Sequence, residues 1–174
     1  MTKTTRKLLI FLVIVALAGA VMVGYKIYDY LETPLFAEQP DLSDEILIDI
    51  FHKDPQVFEQ LYKMVTEDNM MTHVDNNWTE PANLPKDRVA EYRKLFKEAG
   101  IYGGVNVSVD RKKIEFITSA QGWVASGSSK GYMYLTKMPE KLVDNIDVLQ
   151  EHSRMDVCLY RHIEGNWYLY YVKD

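Results

Sequence analysis

Residues 103–118, GGVNVSVDRKKIEFIT, decide the fold class. Val105, Val107 and Val109 alternate with Asn106 and Ser108, the two-residue period of a strand buried on one face. Asp110, Arg111 and Lys112 interrupt the run as a turn. Ile114, Phe116 and Thr118 then alternate back, so the stretch reads as a β-hairpin.

Upstream of it the apolar period is that of a helix. Ser43 reads as the N-cap of a short helix carrying Ile46, Leu47, Ile50 and Phe51, with Asp44 and Glu45 suited to the positive end of its dipole. Asp54-Pro55 sets a cap with proline at the first helical position. Val57, Phe58, Leu61, Tyr62 and Val65 recur down one face until Asp68-Asn69. Met70 to Val74 reads as a short strand and residues 75–85, DNNWTEPANLP, as a loop. A further helix starts near Lys86, buries Val89, Tyr92, Phe96 and Ala99, and stops at Gly100.

Downstream the chain stays strand-like. Trp123 to Ala125 and Gly131 to Leu135 read as a second pair joined across SGSSK, residues 126–130. After a proline-started connection, MPEKLVDNIDVLQEHSR, a third hairpin runs from Asp156 to Ile163, turns at Glu164-Gly165-Asn166 and returns through Trp167 to Val172. Helices first and hairpins after predict an α+β domain: two or three amphipathic helices on an antiparallel sheet of about five to six strands. This order is compatible with a cone-shaped sheet wrapped on helices, as in nuclear-transport-factor-like domains.

Between Lys7 and Lys26 lie eighteen uncharged residues, LLIFLVIVALAGAVMVGY. As a helix they span roughly 27 Å, close to the hydrocarbon core of a bilayer. Lys3, Arg6 and Lys7 precede the run, whereas Lys26 follows it among Asp29, Glu32 and Glu38, which places the N-terminus in the cytoplasm and the rest outside. Tyr25, Tyr28 and Tyr30 stand where interfacial aromatics would. A secretory signal cut after Ala16-Leu17-Ala18 or Ala18-Gly19-Ala20 is the competing reading; apolar character continuing through Val21, Met22 and Val23 favours an uncleaved anchor. The expectation is a transmembrane segment over residues 1–30, contacting the lipid bilayer through residues 8–25, a tether over 31–42 and one domain over 43–174. It would be single-pass in the cytoplasmic (inner) membrane, with that domain periplasmic or extracellular.

Composition narrows the partners. With 47% hydrophobic and 12% aromatic residues the chain can bury a core. Setting aside Lys3, Arg6 and Lys7 leaves 17 basic residues against 25 acidic ones, a charge of −8, which disfavours nucleic acid. Cys158 is the single cysteine, so the chain forms no internal disulfide, and no cysteine follows the apolar run to be acylated.

Few residues offer chemistry. Gly127-Ser128-Ser129-Lys130-Gly131 fits G-x-S-x-G, and Ser129 followed by aspartates and His162 has the chain order of a hydrolase triad. Yet a strand-like Tyr132-Met133-Tyr134 stands where the helix of a nucleophile elbow belongs, and a turn with positive φ accounts for Gly127 and Gly131 more simply. GWVASGSSK, residues 122–130, has serine at the lysine position of a phosphate loop. His52, His73, His152 and His162 form no spaced ligand pair; His73 and Asp75 share a strand face but do not make a metal site. Asp144 with Asp147, and Glu80 with Asp87, are carboxylate pairs of the kind that chance supplies. Asn77-Trp78-Thr79 and Asn106-Val107-Ser108 fit the glycosylation acceptor pattern. In the terminal strand WYLYYV, Trp167, Leu169 and Tyr171 face one way and Tyr168, Tyr170 and Val172 the other, as in a strand covered on both sides. Tyr132, Tyr134, Tyr160, Tyr168 and Tyr170 are accordingly core residues first. As candidate binding residues they would line a concave, hydroxyl-bearing pocket.

The ending HIEGNWYLYY, with SSKGYMY upstream, resembles recurrent features of uncharacterised bacterial envelope proteins. That resemblance implies an envelope location and brings no activity, cofactor or site residue. Taken together, the leading expectation is a membrane-anchored extracytoplasmic binding domain, non-enzymatic and without cofactor or metal, whose partner is another envelope protein or a small ligand. A periplasmic immunity protein neutralising a basic toxin is an alternative, as is a small hydrolase using Ser129.

Overall fold

A computed structural model describes residues 41–123, 126–150 and 156–173. These belong to the unit Gln39–Asp174. In chain order they form α1 (Asp44–Lys53), α2 (Pro55–Glu67), β1 (His73–Val74), β2 (Thr79–Glu80), α3 (Lys86–Glu98), β3 (Gly104–Val107), β4 (Lys113–Trp123), β5 (Ser126–Leu135), α4 (Ile146–Gln150), β6 (Val157–Glu164) and β7 (Trp167–Lys173). The strands make one open antiparallel sheet in the order β2-β1-β3-β4-β5-β7-β6. The domain is therefore α+β, with seven strands where five to six were expected. The apolar leader lies outside the described residues, and no described helix is long and apolar enough to cross a membrane.

The helix signals act much as their chemistry dictates. Ser43 Oγ accepts from Ile46 N at 3.4 Å to cap α1, and Pro55 opens α2, although Asp54 makes no side-chain cap bond there. At the end of α3, Gly100 takes φ +65° and Ile101 N donates to Phe96 O at 2.8 Å, the bond that closes a glycine-terminated helix. Three expectations need correction in the sheet. Val109 lies beyond β3 and is 98% exposed, because Ser108 already begins the turn that Ser108 and Asp110 close by hydrogen bonding. Thr79–Glu80, read as loop, pairs with β1 as β2. SGSSK is no connection at all: residues 126–130 run in register against β4, Ser126 opposite Trp123 and Ser129 opposite Ala120.

That pairing also changes the reason for Gly131. It sits mid-strand opposite Ile117, where β4 bulges before Ser119. A Cβ there would meet Phe116 O at 2.1 Å and Thr118 N at 2.9 Å, so the bulge requires a residue without one.

All three long helices contribute to a core on one face of the sheet. Leu47 and Phe51 of α1, Phe58 and Leu61 of α2, and Tyr92 and Phe96 of α3 are buried with Phe116, Tyr132, Trp167 and Leu169. Phe58 meets Tyr132 edge-on at 4.7 Å between centroids and Trp167 at 5.7 Å. Such contacts add about 0.5–1.5 kcal/mol each to what burial of the rings provides.

A charged cluster joins α1 to α4. Asp44 Oδ2 accepts from Ile146 N at 2.7 Å while Asp147 Oδ2 accepts from Asp44 N at 2.8 Å, so each helix start is capped by the other's aspartate. Lys130 Nζ, in β5, reaches Asp147 Oδ1 and lies 3.0 Å from Asp44 Oδ1; Arg161 of β6 holds Asp44 Oδ2 at 3.2 Å. Lys130 is 2% exposed and Asp44 0%. Burial works to raise the Asp147 carboxyl, but the bonds from Lys130 and from Asp44 N outweigh it and hold its pKa below the usual carboxylate range.

Candidate functional site

Ser129 lies in β5 opposite Val172 of β7, and His162 lies in β6 opposite Tyr168 of β7. With β7 between them and the pairings four residues out of step, the two are about 10 Å apart across the sheet and about 13 Å along it. His162 Nε2 instead faces Gly165 O at 3.1 Å. A nucleophile and its base must be within hydrogen-bond reach, and the structure does not bring these two together. Ser129 adjoins a polar hollow of about 180 Å³ whose lining includes Ser119, Ser128, Lys130, Gln150 and Tyr171.

The five tyrosines divide between the faces of the sheet. Tyr132 is fully buried under the helices, where its hydroxyl donates to Leu47 O at 2.9 Å and burial pushes its pKa up. Tyr134, on the same face, stacks on Tyr62 at 4.1 Å and accepts from Asn166 Nδ2 at 3.0 Å. Tyr168 and Tyr170 are buried but belong to the opposite face, with Tyr160 registered against Tyr170 and Met133 against Tyr168. Tyr132 is registered against Leu169 and Tyr134 against Trp167, and alternation along β7 turns Tyr168 and Tyr170 to the other side, so these five side chains do not line one pocket.

The β1–β2 hairpin carries a different arrangement. Its loop is built by Asp75, whose Oδ1 accepts from Asn77 N at 2.6 Å and Trp78 N at 2.7 Å, an aspartate-closed turn. Asp75 N also donates to Trp78 O at 3.1 Å, and Arg93 of α3 fixes the turn from outside by donating Nε to Asp75 O at 2.9 Å. Asp75 Oδ2 stands 3.2 Å from His73 Nε2, without hydrogen-bond alignment, while His73 Nδ1 is 2.6 Å from Asn106 Oδ1 on β3. The imidazole so held stacks on the Trp78 indole, with centroids 4.0 Å apart and planes 19° apart. Arg111 secures the segment entering β1 by donating to Asn69 O at 2.8 Å and Met71 O at 3.0 Å.

Trp78 is nonetheless 52% exposed. It borders a cleft of about 480 Å³ between the hairpin and α3, lined also by Leu84, Val89, Asn77, Lys86 and Arg93. No known family, curated protein or solved structure matches the chain.

Sequence reasoning places Trp78 in a loop and goes no further. The available signal is a tryptophan amid DNNWTE, since a large aromatic in a polar turn has no core to enter. His73 and Asp75 are legible as sharing a face, and the structure joins them. The contact with Asn106 and the approach of α3 depend on long-range pairing. Among the described residues no three His, Cys, Asp or Glu side chains gather as a metal site.

Proposed function

We propose that the protein is a membrane-anchored, extracytoplasmic binding domain that engages its partner or ligand through the cleft beside Trp78. The observation that carries this is the exposed indole held on a stacked His73 by two further side chains. A half-exposed tryptophan loses little conformational entropy on binding when its ring is already fixed, which is why such residues dominate binding energies. The apolar leader with its charge asymmetry, and the resemblance of HIEGNWYLYY to envelope proteins, support the location.

Two measurements test the two halves of this reading. Cys158 is exposed and is the sole cysteine, so a membrane-impermeant maleimide added to intact spheroplasts should label it; labelling only after lysis would overturn the orientation. Affinity capture from solubilised membranes should recover a stoichiometric partner or ligand with the wild-type chain and lose it with Trp78→Ala. Equal recovery by both chains would remove the cleft from the proposal.

A further inference from the structure

The walls of the Trp78 cleft carry a charge opposite to that of the chain as a whole. Formal net charge is −5, yet the cleft is lined by Lys86 and Arg93 and by no carboxylate. Three other cations held by the fold are answered by acids within the protein. Arg88 meets Glu67, Asp68 and Glu91 between α2 and α3, Arg161 meets Asp44 and Glu45, and Lys130 meets Asp44 and Asp147. Arg93 differs. Its Nε is committed to the carbonyl of Asp75, which fixes the plane of the guanidinium, and among the described residues its two terminal nitrogens have no acidic partner.

A guanidinium anchored at Nε presents its remaining donors as a fork that matches the two oxygens of a carboxylate. Beside it stand the free face of an indole already stacked on its other side, and the side chains of Leu84 and Val89. Those surfaces suit a flat or ring-shaped apolar body rather than a second charge. From this juxtaposition we infer that the cleft binds a ring-bearing carboxylate, its ring on Trp78 and Leu84 and its carboxylate on Arg93, with Lys86 adding attraction from the rim. The inference rests on the proposal that Trp78 marks the binding site, and it names the ligand class.

The test uses the full-length chain in detergent micelles, titrated with benzoate and with benzamide, which has the same shape without the charge. Saturation-transfer NMR reports contact with the ring protons. Benzoate is expected to bind saturably and at least about 10-fold more tightly than benzamide, the difference one charge-assisted bond supplies. Lys86→Ala should weaken benzoate about 3-fold, as an exposed charge does. Arg93→Lys, which keeps the charge but not the fork, should narrow the gap between the two probes, and Trp78→Ala should abolish the signal while the melting temperature shows the variant folded. Equal affinity for both probes would overturn the anion assignment and leave the cleft as a site. Benzoate binding untouched by Trp78→Ala and Arg93→Lys would place it elsewhere and overturn the inference, as would absence of binding by either probe. Partner capture that depends on Trp78 would survive any of these results, so the functional proposal fails or stands separately.

Discussion

Lys130 in β5 and Arg93 in α3 are both cations fixed by the fold, and they are treated in opposite ways. Lys130 is almost wholly buried, with Asp147 and Asp44 beside its ammonium and the capped starts of α1 and α4 around it. Arg93 spends one nitrogen on a loop carbonyl and turns toward an open cleft without a carboxylate. A charge answered within the chain contributes to architecture. One left unanswered beside a rigid aromatic surface is available for recognition. Removing each should therefore affect different observables.

The largest expected effect is on the closed cluster. Lys130→Ala leaves Asp44 buried with Arg161 as its remaining described counter-ion, and breaking such a pair costs about 3–5 kcal/mol; urea unfolding of the variant should show it as a large fall in midpoint. A loss under about 1 kcal/mol would mean that the cluster is solvated and the contrast with Arg93 is empty. Next comes Gly131→Ala, whose methyl has no room against Phe116 O. A loss of about 1–3 kcal/mol is expected from the same unfolding experiment, and a neutral result would disprove the mid-strand bulge at β4.

Acid should distinguish the regions more gently. Because the folded-state pKa of Asp147 is lowered, its contribution is present above the unfolded carboxyl value and is lost as pH falls through the folded one, which confines the loss to below about pH 4. Asp147→Asn should lower stability at neutral pH and flatten that acid limb. Chemical denaturation at a series of pH values reads both, and an unchanged limb would remove Asp147 from the cluster's energetics. Smallest in stability is Trp78→Ala, expected to cost about 0.5–1.5 kcal/mol through the lost stack on His73 while eliminating ligand contact.

The same contrast explains what the sequence could show. Helical and alternating periods concern which side chains share a local face, so the spacing of Phe58, Val89, Phe116 and Trp167 was enough to assign all four to a core. Turn chemistry at Gly100 and Gly165 was equally local. Glycines and serines of residues 126–130 misled because small polar residues usually mark a connection, whereas here Gly131 admits a neighbouring bulge and the others continue the ladder. Asp44 was readable as a first-turn acid; its burial against Lys130, 86 positions later, was not. Trp78 was visible only as a loop residue, because His73, Asn106 and Arg93 meet around it through pairing of β1 with β3 and packing of α3.

A photo-crosslinker tests the central proposal most directly. With p-benzoyl-phenylalanine replacing Ala82, an exposed residue of the cleft lining, and Trp78 kept, irradiation of the full-length chain in native membranes should yield one defined adduct, suppressed by excess benzoate. The same group replacing Val109, which is 98% exposed on the β3–β4 turn, should yield none. No adduct from position 82, or the same adducts from both positions, would contradict the assignment of the Trp78 cleft as the place where this domain binds.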